Sequence, residues 1–122
     1  IGDLSSEIES EIFMNFIKKQ MHTDCIRHTQ LTNKQIKRVA ICGGSGSFLL
    51  QQAKNKKADI FISSDFKYHE FFDADKKIII ADIGHFESEQ FTKELIYDFL
   101  RKKFTKFAVQ LSNVNTNPIN YL

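Results

Sequence analysis

The chain has 122 residues, 42% of them hydrophobic and 26% charged, with a formal net charge of +2. That length suits one modest domain, and the balance of apolar and charged residues excludes a disordered or fibrous chain. The small net charge, and the absence of any apolar run long enough for a bilayer or of a signal-peptide pattern, argue against nucleic-acid and membrane partners and for a cytoplasmic setting. Ser6-x-x-Glu9 reads as a capping box, and Ile8, Ile12 and Phe16 recur every four residues, so a helix is expected over residues 6–19, within a leading helix and connection over 1–22. Residues 22–29 form a weak strand candidate, in which His28 carries no assigned role. Val39-Ala40-Ile41-Cys42 reads as a strand, residues 47–57 as a helix bearing Phe48, Leu49, Leu50 and Ala53, and Ile60-Phe61-Ile62 as a second strand. A short helix over 67–72 and a strand over 77–81 follow. A long helix over 86–103 presents Phe91, Leu95 and Phe99, widened by Ile96, Leu100 and Phe104, before a last short strand over 107–109.

This alternation predicts a single α/β domain over residues 1–122: a mostly parallel sheet with helices on both faces and right-handed crossovers. Twelve Phe and no Trp predict a bulky aromatic core. Lys34-Lys37-Arg38, Lys54-Lys56-Lys57 and Arg101-Lys102-Lys103-Lys106 are basic runs that read as solvated faces. Cys25 and Cys42 have no metal-finger spacing and read as reduced, buried thiols. The chain opens on Ile, which fits a piece of a longer product.

Three segments at expected strand ends carry the chemistry. In Asp82-Ile83-Gly84-His85-Phe86-Glu87-Ser88-Glu89, His85 and Glu89 stand four apart where a helix begins, so both can reach one object, a divalent metal before all others; an exposed His and Glu decorating a first turn is the alternative. Asp82 could ligate, cap the helix, or accept the hydrogen bond that a ligating imidazole normally donates from its other nitrogen, and this last role is favoured. In Ser63-Ser64-Asp65-Phe66-Lys67-Tyr68-His69-Glu70, Asp65 could cap the short helix or support the site from behind its ligands, while Lys67 and Tyr68 supply donors. His69 is either a hydrogen-bonded helix residue or a proton carrier, since imidazole titrates near neutrality. Gly43-Gly44-Ser45-Gly46-Ser47 matches neither a P-loop nor a dinucleotide fingerprint. It could bind an anion through backbone N–H groups, form a tight connection, or clear room for a neighbouring metal.

Taken in this order, these segments, with Val39-Ala40-Ile41-Cys42 before the glycines and Asn115-Thr116-Asn117-Pro118 near the end, resemble the C-terminal half of the NIF3-like family, the type 2 homologues of GTP cyclohydrolase 1. The resemblance runs from about residue 24 to the end. It implies a NIF3-like half-domain and a dinuclear metal centre in a cleft between two related α/β halves. His85 and Glu89 match the family's C-terminal ligands, the remaining ligands being two histidines and an aspartate of an N-terminal half. His69 matches a pocket histidine, and Gly43, Gly44, Ser45 and Gly46 form part of the same cleft. Phe86 stands where many relatives carry Tyr. By resemblance the intact protein is a homo-oligomer, often a toroidal hexamer. It is expected to hold two Zn, Mn or Fe ions and to hydrolyse a small nucleotide-like or phosphate-bearing substrate, with this piece inactive alone. The alternative is a metal-binding interaction or scaffold protein without enzymatic activity.

Overall fold

A computed structural model describes residues 1–31 and 35–122; Lys34 of the first basic run lies outside the described residues. The opening residues are a strand rather than the expected start of a helix. β1 (Gly2–Glu9) runs antiparallel to β3 (Gln35–Ser45), pairing Gly2 with Val39 and Ile8 with Ile36, and the Asp3 carboxylate clamps the Arg38 guanidinium at 2.7 and 2.9 Å. α1 (Ser10–Gln20) begins only where Glu9 turns its carboxylate onto the Glu11 N–H at 3.2 Å. Its buried face is Phe13, Met14 and Ile17, whereas Ile12 and Phe16 are 61% and 53% exposed. The four-residue repeat had marked the neighbouring face of the same helix.

After the short β2 (Arg27–His28), the regular part of the chain follows: β3, a 3-10 turn over Ser47–Leu49, α2 (Leu50–Asn55), β4 (Ile60–Ser64), a 3-10 segment over Tyr68–Ala74, and β5 (Ile79–Asp82). Among the described residues the sheet has five strands in the order β1-β3-β4-β5-β2. It is mixed, not mostly parallel: β3-β4 and β4-β5 are parallel, but β1-β3 and β2-β5 are antiparallel. The reason lies at the edges. β1 is polar and largely exposed, and β2 pairs through two residues, so neither carries the apolar run that marks an inner parallel strand.

The inner strands send alternate residues to opposite faces. Ile60, Ile62, Ile79 and Ala81 meet Phe13, Met14 and Ile17 of α1 on one side. Phe61 and Ile80 meet Leu50 and Ala53 of α2, with Phe66, on the other. The core is aliphatic more than aromatic: Phe13, Phe61 and Phe66 are buried, but Phe16, Phe48, Phe72, Phe99, Phe104 and Phe107 are exposed. Nor are the thiols buried: Cys25 is exposed, Cys42 half-buried, and both are free.

The expected long helix is two pieces, α3 (His85–Glu89) and α4 (Thr92–Lys103). At the break, the Gln90 side-chain amide donates to the carbonyls of Met21 and Glu87, tying the junction to the end of α1. α4 buries none of its residues, so Leu95 and Phe99, expected in the core, are 71% and 61% exposed. Residues 107–109 are irregular, not a strand.

Candidate metal centre

Parallel pairing of β4 with β5 sets Ser63 beside Asp82, so the residues that follow each strand emerge side by side. Asp65 leaves β4 with φ +60, and Gly84, with φ +91, turns the chain from β5 into α3 in a conformation that a residue with a β-carbon rarely adopts. His85 and Asp65 therefore face each other, with Nδ1 of the imidazole 2.6 Å from Oδ2 of the carboxylate. With Nδ1 engaged, Nε2 points to Glu89, 3.3 Å from its Oε2, across one turn of α3. The Asp65 hydrogen bond raises the His85 pKa above its ordinary value; partial burial opposes this, and the charges of Asp65 and Glu89 add to it.

Gly44 completes the space. Its φ is +63, and a β-carbon there would stand 2.6 Å from Glu89 Oε1 and 3.3 Å from His85 Nε2. The glycine is pinned from both sides. Its N–H donates to Ser88 Oγ at 2.7 Å, its carbonyl accepts from Ser63 Oγ at 3.1 Å and Ser64 Oγ at 2.5 Å, and the Ser88 hydroxyl donates to the His85 carbonyl at 2.8 Å. Ser63, Ser64 and Ser88 received no role from the sequence, although three small hydroxyl residues flanking two strand ends and a glycine run were a usable signal. Gly43, Gly44 and Ser45 belong to β3 itself, and a β-carbon on Gly46 would meet Ser63 Oγ at 2.2 Å. Gly44 and Gly46 thus serve close packing, and the Gly44 N–H is already engaged by Ser88.

Asp82 does not hydrogen-bond His85. Its buried carboxylate accepts from the Phe66 N–H at 3.0 Å, from the Arg27 guanidinium and from the Gly84 N–H at 3.2 Å, holding both strand-end loops in place. Lys67, Tyr68 and His69 belong to the exposed segment after β4. The Lys67 N–H donates to Glu70 at 2.6 Å, and Tyr68 packs edge-on against Phe72 at 5.5 Å. His69 lies near enough to Glu70 to help lower its pKa, an effect led by the Lys67 N–H hydrogen bond, and makes no hydrogen bond to His85 or Glu89.

Among the described residues no three His, Cys, Asp or Glu side chains converge as a metal-ligand set. His85 Nε2 and the Glu89 carboxylate nonetheless suit a divalent ion: an imidazole fixed from behind, a carboxylate, and a gap held open by a missing β-carbon.

Residues 1–118 match the family model described as Duf34/NIF3 (NGG1p interacting factor 3). The chain belongs to the Duf34/NIF3 family. Relatives named GTP cyclohydrolase 1 type 2 homolog include one from Staphylococcus epidermidis, 33% identical over 125 residues, and one from Campylobacter jejuni, 33% identical over 120 residues. These alignments take in 99% and 97% of this Duf34/NIF3 chain but only 34% and 47% of the two relatives. The chain therefore spans between a third and a half of their length. The fold is similar to that of the Staphylococcus aureus protein SA1388, with a TM-score of 0.83 at 29% identity, covering 98% of this chain and 40% of that one. A Bacillus cereus protein related to NIF3 gives 0.81 at 25% identity, covering 99% and 35%. Among the described residues no helix is long and apolar enough to cross a membrane.

Proposed function

We propose that this Duf34/NIF3 segment contributes His85 and Glu89 to a two-metal centre whose other donors, two histidines and an aspartate, belong to the rest of a longer, oligomeric protein. The observation that carries the reading is the Asp65-His85-Glu89 alignment over Gly44: one ring nitrogen is held at 2.6 Å and the other is directed at a carboxylate in a space kept free of side chain. An imidazole so held needs no reorganisation to ligate, and Asp65, rather than Asp82, is the residue that fixes its orientation. The activity we assign to the complete protein is hydrolysis of a small nucleotide-like substrate. Bound Zn, Mn or Fe ions would lower the pKa of water and offset developing negative charge. Glu89 and His85 would hold the ions, Ser88 and Gly44 would keep the two ligands in register, and the exposed imidazole of His69 would serve as proton carrier. Lys67, Tyr68 and the glycine run remain candidates for contact with the anionic part of the substrate.

Metal content of the full-length protein tests this. Two ions per chain are expected, falling when His85→Ala or Glu89→Ala is introduced, and both ions retained in the double variant would defeat the assignment. A second reading, a metal-dependent scaffold without enzymatic activity, is favoured by the open apolar face of α4, where Leu95, Ile96 and Phe99 lie exposed. It predicts that chelation alters assembly size while hydrolase assays of the full-length protein stay blank.

A further inference from the structure

Beside His85 and Glu89 lies a cleft of about 380 Å³ whose other lining residues are Phe86, Gln90, Asn117, Pro118 and Ile119. We infer that this cleft seats an uncharged heteroaromatic ring of the substrate, and that the C-terminal strap over residues 115–119 is the wall that selects it. The inference rests on the metal reading of His85 and Glu89 and names what would lie against that pair.

The strap is built as a wall. The Asn115 side-chain carbonyl accepts from the Asn117 N–H at 2.9 Å, and the Asn117 side-chain carbonyl accepts from the Ile119 N–H at 3.1 Å, two local turns that fix the backbone on either side of Pro118. The Asn117 side-chain amide then donates to Oε1 of Glu87 at 3.3 Å, anchoring the strap to a carboxylate that is only 5% exposed in α3. Both ends of the Asn117 amide are thereby used, and the amide nitrogen of Gln90 is committed to Met21 and Glu87. What the strap and α3 leave for a ligand is mainly hydrocarbon: the Phe86 ring, Pro118, and Ile119, which is 52% exposed.

Among the described residues no Lys or Arg lines the cleft, so a phosphate placed there would find no cation among them except the imidazole. A flat ring suits it better, with one face against Phe86 and Ile119 and one edge towards His85 and Glu89. The phosphate of a nucleotide-like substrate is thereby assigned to another part of the complete site.

The test uses the full-length protein loaded with cobalt(II), whose visible absorption reports both metal occupancy and probe binding. Hydroxypyridinone and acetohydroxamate present the same pair of oxygen donors, and only the first carries a ring. Ile119→Ala and, separately, Asn117→Ala are expected to weaken hydroxypyridinone about tenfold, the scale of a lost apolar contact in a pocket, while acetohydroxamate and the probe-free cobalt spectrum stay unchanged. Equal loss of both probes, no loss of either, or a parallel loss of inorganic phosphate would overturn the inference while leaving the metal reading intact. Wild-type cobalt binding retained in the His85→Ala, Glu89→Ala double variant would instead defeat the metal reading, and this inference with it.

Discussion

Adding one methyl group to the glycine run probes the packing of the candidate centre at single-atom scale. In Gly44→Ala the backbone would have to hold φ +63 with a β-carbon attached, which costs about 1–2 kcal/mol. The new carbon would start 2.6 Å from Glu89 Oε1, a contact that must open, and the carboxylate is free to move because it is the far end of a half-exposed side chain. The stability loss should therefore stay near the backbone cost, a fall of about 4–8 °C in Tm for a domain of this size. The functional loss should be larger, because the displaced group is a proposed ligand: divalent-metal affinity of the full-length protein should drop about 10–100-fold, the range associated with removing a ligand's support. Gly43→Ala is the control. Its β-carbon would meet nothing closer than 3.7 Å, so it should be neutral or stabilising by about 0.4–1 kcal/mol. Gly46→Ala should destabilise by about 1–3 kcal/mol, since its β-carbon would meet buried Ser63 at 2.2 Å and Cys42 at 3.0 Å. Urea denaturation and metal titration of the three variants check the series. Equal metal loss in Gly43→Ala and Gly44→Ala, or none in Gly44→Ala, would refute the argument that Gly44 clears the space for Glu89.

Asp65→Asn should lower the His85 pKa towards its ordinary value in the metal-free chain, as followed by NMR, because the hydrogen bond to the carboxylate is the largest cause of the rise. The sign follows: a raised imidazole pKa contributes stability at low pH that is lost as pH rises through the folded value, so the variant should lose stability on the acidic side only. In the full-length protein the same change should weaken metal binding about 10–100-fold, and unchanged affinity would dismiss Asp65 as the orienting group. Glu70 is held below the usual carboxylate range by the Lys67 N–H and the Ser47 hydroxyl, so its contribution is present at neutral pH and is lost as pH falls through that lowered value. Ser47→Ala should move its NMR-titrated pKa upward, and no movement would remove the hydroxyl from the account. Leu95→Glu and Phe99→Glu should leave the stability of this chain within about 0.5 kcal/mol, because neither side chain is buried. A loss of several kcal/mol in urea denaturation would show that α4 packs on the domain.

The apolar, β-branched runs of β3, β4 and β5, the glycines at the ends of β3 and β5 and the four-residue spacing of His85 and Glu89 are local properties, and each was legible before the chain was folded. The two edge strands were not. β1 is a polar segment that also satisfies a helix-capping pattern, and it becomes a strand because β3 offers it a ladder and Arg38 an ion pair with Asp3. The partner of His85 was equally invisible. Asp82 is three residues away in sequence, but the pleat of β5 sends its carboxylate to Phe66 and Arg27; Asp65, twenty residues back, reaches the imidazole because parallel pairing brings the ends of β4 and β5 together. Periodicity and turn chemistry act over a few residues and can be read along the chain. Strand neighbours, and the side on which each carboxylate emerges, depend on contacts between distant segments, which exist only once the sheet has formed.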